Sequence, residues 1–595
     1  MRKSLLLFLL TLSFKLSAQD LQIRVNQIGY LPNEQKTAVL FSEKPIKEKI
    51  ELIDVKSGKS VADFKPTKSK TENWGRFDFY CHINFSNVER EGNYYLKGSK
   101  SGLQSAHFSI SKSAYQQQEE QLLVFMRQQR CGYNPHLDMV CHQRDGRILG
   151  GGPLPDSTYI DASGGWHDAG DQLKYLITGS YATAHMLLTY KLYPKVFADK
   201  VNNLGQAGSN GTPDILDEAK WGLDWIHKLH PRKDVLIHQV ADDRDHRGWK
   251  MPNQDISEYG WGANSYRVAY VATGKPQGLS QYKSEATGVA NLAGRSAAAM
   301  ALGYQVWKED LKEDTYAEKC LQAAKSLYAL GKAKEGFQQG NSFGAPYRYT
   351  EQTWADDMEW AAAELYKITK DKTYLTDAKR YARLAATDSW NVLDSAAHYQ
   401  YYPFVNMGHY ALYDLVEPEF QDSLAMWYKA GLEKNFQRAQ QNPFEIGVPF
   451  IWCSNNLLTS LIAQGILYEK MTGDTTYQDF IVRQRDWLFG TNPWGTSMFT
   501  KMPEGGEYPV DVHTSIWALT KEEVPGGLID GPVFSTIYQS LKGLVLNEPD
   551  EFAHLQNKYV VYHDDIGDYS TNEPTMDGTA GALLMMAHWG VAEYD

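Results

Sequence analysis

The stretch Thr212-Pro213-Asp214-Ile215-Leu216-Asp217-Glu218-Ala219-Lys220-Trp221-Gly222-Leu223-Asp224-Trp225-Ile226 decides how the larger part of the chain folds. Its apolar residues Ile215, Leu216, Ala219, Leu223 and Ile226 recur at three- and four-residue steps, which places them on one face of an α-helix. Thr212-Pro213 opens the segment as an N-cap and a first-turn proline, and Pro231 closes it. The spacing returns at Cys320, Ala323, Ala324, Leu327 and Leu330, and again at Tyr374, Ala378, Tyr381, Ala382 and Ala385. It returns at Leu457, Leu458, Leu461, Ile462 and Gly465, and at Tyr477, Phe480, Ile481, Gln484 and Leu488. A last helix is expected near Thr579–Ala587. On the order of a dozen helices are predicted, joined by long loops rich in Gly, Asp, Trp and Tyr. No self-similarity of solenoid length is visible. Paired helices with elaborate loops at one end build an α/α barrel whose loops line a cleft.

Upstream of residue 115 the period is two. Gln22–Val25 and Thr37–Phe41 alternate, and short runs follow at Lys49–Val55, Arg76–Cys81, Gly92–Leu96 and Ala106–Ile110. About seven short strands between turn residues predict an immunoglobulin-like β-sandwich without its disulfide. The expected division is residues 19–112 for this all-β module and 113–595 for a mostly α domain. The junction near Ser111–Gln118 is short, so the sandwich should pack on the barrel. Arg2 and Lys3, an apolar stretch Leu5–Phe14 and the small residue Ala18 read as a secretory signal peptide over residues 1–18, implying export.

The chain has 595 residues, of which 43% are hydrophobic and 22% charged, a balance that folds. Its net charge of −12 argues against nucleic acid as partner. Past the N-terminus no apolar run is long enough to span a membrane. No heptad suggests assembly, so a monomer is expected. The 16 Trp and 37 Tyr suit a protein that stacks flat faces on a ligand such as a sugar, although core packing uses the same residues.

Two acidic loops stand out: Asp161-Ala-Ser-Gly-Gly-Trp-His-Asp168-Ala-Gly-Asp171 and Asp564-Asp565-Ile-Gly-Asp568-Tyr569-Ser-Thr-Asn572-Glu573-Pro574. Each sets carboxylates among glycines and aromatics just before an apolar helix. Glycine lets backbone approach a ligand, and aromatic walls raise a carboxyl pKa. Acetal hydrolysis needs one carboxyl protonated, to donate to the leaving oxygen, and another ionised, to activate water. The plainer readings are turns, N-caps, a solvated face or a calcium loop.

The segment Gly164–Asp171 with Lys174-Tyr175 resembles the base motif of family 9 glycoside hydrolases, and Asp568–Glu573 with Gly578–Ala582 resembles that family's acid motif. Arg24–Pro32 is similar to the start of the immunoglobulin-like module that precedes the barrel in many members. The resemblance covers essentially the whole mature chain. It implies an (α/α)6 barrel and hydrolysis with inversion, with Asp171 as general base, Asp168 helping to hold the water and Glu573 as general acid. It implies a sugar contact at His513, with Thr514 and Ser515 following where many endoglucanases of the family carry an arginine. Tyr569 would face the sugar, and Trp261, Trp354 and Trp452 are candidate stacking platforms.

Five cysteines are too few to staple a chain of this size, and Cys320 and Cys453 read as inert core. Cys131 and Cys141-His142 suit tetrahedral zinc, with His167 as fourth ligand or His136 in its place. A Cys131–Cys141 disulfide is the alternative. The resemblance also implies calcium near Asp356 and Asp357, which could equally open a helix. No cofactor is needed for the chemistry. The leading expectation is an endo-acting β-1,4-glucan hydrolase on cellulose, mixed-linkage glucan or xyloglucan. An exo-acting β-glucosidase or glucosaminidase would need the cleft closed at one end, for which the insert Lys501–Leu528 is available. A lyase would want a basic cleft, and a non-catalytic glycan-binding protein would not need all three carboxylates.

Overall fold

The computed structural model describes residues 21–70, 74, 76–149, 151–278, 281–388 and 407–591. The leader expected at residues 1–18 lies outside the described residues.

The first strands are β1 (Leu21–Arg24), β2 (Thr37–Ser42), β3 (Ile50–Asp54), β4 (Ser60–Phe64), β5 (Thr67–Lys68), β6 (Phe79–Asn84), β7 (Gly92–Gly98) and β8 (Phe108–Ile110). They form two antiparallel four-stranded sheets, ordered β1-β2-β6-β5 and β4-β3-β7-β8. Ile23, Leu40, Leu52, Ile83, Leu96 and Phe108 fill the space between the sheets. β4 and β5 escaped the sequence pattern because they are short, mostly exposed edge strands with little alternation.

The helices are α1 (Gln118–Gln128), α2 (Leu176–Leu192), α3 (Asp214–Leu229), α4 (Ala290–Glu309), α5 (Asp314–Ala333), α6 (Ala355–Thr369) and α7 (Lys372–Asp388). They continue with α8 (Met407–Tyr413), α9 (Pro418–Ala439), α10 (Ser454–Thr472), α11 (Gln478–Leu488), α12 (Ser515–Thr520), α13 (Ser535–Ser540) and α14 (Met576–Gly590). α2, α4, α6, α8, α10 and α14 pack in sequence around a ring, and α14 returns to α2. Outside them α3 backs α2, α5 backs α4, α7 backs α6, α9 backs α8 and α10, α11 backs α10, and α1 backs α14. This is the (α/α)6 barrel. Composition sorts the two rings. α2 is buried all round from Leu176 to Tyr190, and small residues such as Ala297–Ala299 on α4 and Ala361–Ala363 on α6 let inner helices approach closely. The outer α3 is two-faced and buries Ile215, Leu216, Ala219, Leu223 and Ile226 as the spacing predicts. It starts one residue later than expected: Pro213 is still extended (ψ 138°) and takes the N-cap position assigned to Thr212.

The sandwich packs on the barrel through an aromatic cluster. Trp74 lies 5.1 Å from Phe444 and 6.2 Å from Trp487, and Phe41 lies 5.5 Å from Phe444. Beside it Arg485 donates to Glu34 at 2.8 and 2.9 Å and stacks between Tyr115 and Trp589, 4.5 and 4.6 Å from their rings. Among the described residues no helix is long and apolar enough to cross a membrane.

Candidate active site

The two acidic loops meet because each ends in a short strand that feeds an inner helix, and those helices are neighbours. Lys174–Tyr175 pairs with Ile237–Val240 and runs into α2. Pro574–Thr575 pairs with Leu528–Ile529 and runs into α14. The N–H of Met576 donates to Asp168 O at 2.9 Å, and the N–H of Gly170 donates to Glu573 Oε1 at 2.9 Å. His513 joins them, its N–H donating to Asn572 O at 3.0 Å. A side chain at position 170 would place Cβ 2.0 Å from His513 O and 2.8 Å from Glu573 Oε1, so only glycine fits.

Asp171 and Glu573 line one cavity of about 490 Å³. Their surroundings push them in opposite directions. Burial, then the carboxylates of Asp530 and Asp171, hold Glu573 well above the usual range. Burial also opposes charge on Asp171, but the hydrogen bond and charge of His246, with the Leu173 N–H and the Tyr347 hydroxyl, outweigh it and hold this carboxyl below its ordinary value. Those contacts measure 3.2 Å to His246 Nε2, 2.8 Å to Leu173 N and 3.0 Å to Tyr347 Oη.

Asp168 lies deeper than Asp171. It is 4% exposed and is not among the cavity-lining residues. Its Oδ1 accepts from Thr178 at 2.7 Å and its Oδ2 from Tyr349, so both oxygens are engaged inside the protein. Burial, then Asp577 and Asp171, push its pKa well up.

His513, Tyr569 and Trp452 line the cavity. His513 Nδ1 donates to Ile566 O at 2.6 Å, which leaves Nε2 as the free nitrogen of the neutral ring. Tyr569 stands between them, its ring 6.0 Å from His513 and 5.8 Å from Trp452. Trp261 and Trp354 are not among the lining residues. Trp261 packs under the Arg147 guanidinium at 5.2 Å, and Trp354 meets Tyr381 edge-on at 5.9 Å. Sequence reasoning missed His246, Trp249 and Tyr347, which also line the cavity. The available signal was Asp242-Asp-Arg-Asp-His246-Arg-Gly-Trp249, another loop of acids, glycine and tryptophan.

The remaining carboxylates of the second loop hold it in shape. Asp564 accepts from the N–H groups of Val510 and Asp511 and from Asn572, Asp565 from those of Asn547, Glu548 and Gly567, and Asp568 from Ser570, Thr571 and His563. They are neither a solvated face nor a calcium loop.

Cys131, Cys141, His142 and His167 bring one ligand atom each within 4.8 Å of one another. The Sγ–Sγ distance is 4.0 Å, His167 Nε2 lies 3.2 Å from His142 Nδ1, and the Sγ–N distances are 3.7 and 3.8 Å. A tetrahedron with Zn–S of ~2.3 Å and Zn–N of ~2.05 Å has edges of about 3.8, 3.3 and 3.6 Å, so the donors fit such an ion. The two cysteines are not bonded to each other in this structure, and His136 is not in the group. His142 turns its Nε2 to Asp255 at 3.2 Å. Asp255 binds Lys250 at 2.9 Å, Lys250 binds Asp245 at 2.8 Å, and Asp245 accepts from the N–H of Gln172, next to Asp171. The cluster is thus wired to the loop that carries Asp171.

At Asp356 and Asp357, where calcium was expected, a protein cation already sits against the carboxylates. Arg295 donates to Asp357 Oδ1 and Oδ2 at 2.8 and 3.0 Å and to Glu351 Oε1 at 2.7 Å. Asp356 lies buried beside them, and burial, then Glu351, pushes it up to about 7. The guanidinium supplies the positive charge that an ion would have brought.

A barrel of paired helices with two oppositely biased carboxyls in an aromatic cavity defines a glycoside hydrolase. Residues 115–586 match the profile described as Glycosyl hydrolase family 9, and residues 18–102 match that described as Cellulase N-terminal ig-like domain. The chain belongs to glycosyl hydrolase family 9. It is 25% identical to Endoglucanase C of Cellulomonas fimi over 613 residues, covering 96% of this chain and 52% of that protein, so it spans about half of that relative's length. It is 24% identical to a xyloglucan-specific endo-β-1,4-glucanase of Bacteroides ovatus, covering 86% of this chain and 85% of the relative. The crystal structure of a metagenome-derived family 9 endoglucanase superposes with a TM-score of 0.77 at 25% identity, covering 96% of this chain and 99% of the other.

Proposed function

We propose that the chain is an endo-acting, inverting β-1,4-glucan hydrolase in which Asp171 is the general base and Glu573 the general acid. The observation that carries this reading is that two carboxyls line one cavity in surroundings that bias them in opposite directions, His246 and Tyr347 against Asp171 and burial around Glu573. Asp171, ionised and oriented by His246 and Tyr347, takes a proton from water on one side of the sugar. Glu573, protonated, gives its proton to the departing glycosidic oxygen. Asp168 acts from behind the cavity wall, fixing the Asp171 loop through Tyr349 and Thr178. Trp452, Trp249 and Tyr569 offer flat faces to glucosyl rings, and His513 Nε2 accepts from a sugar hydroxyl. Endo action on a β-1,4-glucan accords with the two relatives named above, an endoglucanase and a xyloglucan-specific endo-β-1,4-glucanase. The test is product analysis on carboxymethylcellulose, mixed-linkage glucan, xyloglucan and chitosan oligomers, with anomer detection by NMR. Early loss of viscosity and an inverted first product are expected. Glu573→Gln and Asp171→Asn each abolish hydrolysis with the fold intact, and wild-type turnover in either removes that residue from the mechanism.

The Cys131, Cys141, His142 and His167 cluster is read as a structural zinc site that stiffens the Asp171 loop. Residues 1–18 are read as a cleaved export signal, placing the enzyme outside the cytoplasm.

A further inference from the structure

Trp452 and Cys453 precede α10, and both turn toward Asp530. The Trp452 indole N–H donates to Asp530 Oδ2 at 3.1 Å, and Cys453 Sγ donates to Asp530 Oδ1 at 3.2 Å. Cys453 is buried, as its sequence context suggests, and adopts a left-handed backbone (φ 56°), which an L side chain rarely takes. Asp530 is 1% exposed, and its main chain is held from both sides. Its N–H donates to Glu573 O at 2.9 Å, and its carbonyl accepts from the N–H of Asn455 at 3.0 Å. The next residue, Gly531, donates to Thr571 O at 3.1 Å. One buried carboxylate therefore joins the segment bearing the acid to the indole that lines the cavity.

We infer that Asp530 is a positioning residue that fixes the Trp452 ring as a sugar platform in register with Glu573. It does not touch the substrate. Its carboxylate holds the far edge of the indole, so that the opposite edge and the face stay toward the cavity. A tryptophan free to rotate would have to be ordered each time a sugar bound, which costs affinity. The inference rests on the reading of this cavity as a glucan site. That reading is tested by turnover, and the role of Asp530 by binding, so the two can fail separately.

The experiment measures the Kd of cellopentaose by calorimetry in a Glu573→Gln background, so that the probe is not consumed. An Asp530→Asn change keeps an acceptor for the indole and places its amide toward the sulfur, so affinity stays within about twofold of the parent. Asp530→Ala removes both contacts and weakens binding about tenfold. Trp452→Phe keeps a flat ring but has no N–H to hold, so adding Asp530→Ala to it changes Kd by less than about twofold. Thermal melts of each variant separate lost folding from lost positioning, and Asp530→Asn, which preserves the contacts, decides the matter if Asp530→Ala does not fold. The inference is overturned if Asp530→Ala binds as tightly as its parent, if Asp530→Asn binds as weakly as Asp530→Ala, or if the two changes add in the double variant.

Discussion

The N–H of Gly170 donates to the carboxyl of Glu573 across 2.9 Å, joining residues 403 positions apart in the chain. It fixes Glu573, the proposed acid, against the loop that carries Asp171, and it does so where no β-carbon can stand. Gly170→Ala forces its Cβ into His513 O and the Glu573 carboxyl. The variant should lose about 1–3 kcal/mol of stability by denaturant titration. Its kcat/KM should fall on the order of a hundredfold, because the acid is displaced from its productive place.

His246 is the largest of the groups that favour charge on Asp171. With Asp171 as the proposed base, its ionised form is the active one, and the acid limb of the rate profile should report its titration. Removing His246 takes away the partner of the anion, and the carboxyl then takes up its proton at higher pH. For His246→Ala the acid limb of kcat should therefore move upward in pH, with kcat at the optimum reduced on the order of tenfold. An unmoved acid limb would show that His246 does not set the charge of the base.

Arg295 faces Glu351 and Asp357 in a fully buried setting. Replacing it by Met leaves two carboxylates without a counter-charge, which should cost about 3–5 kcal/mol in unfolding free energy. Millimolar calcium should leave the melting temperature of the unaltered protein within about 1 °C, since a site already filled by a guanidinium has no affinity to add.

The Cys131, Cys141, His142 and His167 group should behave in the opposite way. A strong zinc chelator should lower the melting temperature on the order of 5 °C, and stoichiometric zinc should restore it. Cys131→Ser should melt like the chelated protein and release no zinc in a colorimetric assay.

Much of this arrangement was legible in the chain because the relevant signals are local. The 3.6-residue period marks α3, α5, α10 and α11, and period two marks β2 and β7. The loops around Asp171 and Glu573 were legible for the same reason, since each carries its acids, glycines and following helix within a short span. What was not legible depends on partners far away in sequence. Asp356-Asp357 reads alike whether calcium or an arginine 62 residues upstream of Asp357 neutralises it. Trp249, Trp261 and Trp354 look equally suited to stack on sugar, and only the folding of their loops decides that Trp249 reaches the cavity. Asp168 shares a motif with Asp171, yet hydroxyls from Thr178 and Tyr349 hold it behind the wall.

The aromatic seam between sandwich and barrel has a consequence for how the chain is made. Phe41 and Tyr80 leave the ribosome long before Phe444 and Trp487 exist to cover them. During synthesis the first module must wait with an uncovered apolar face while the intervening helices are translated. Such a face is adhesive. The seam can thus close only once the chain has been made as far as Phe444 and Trp487, long after the strands it covers.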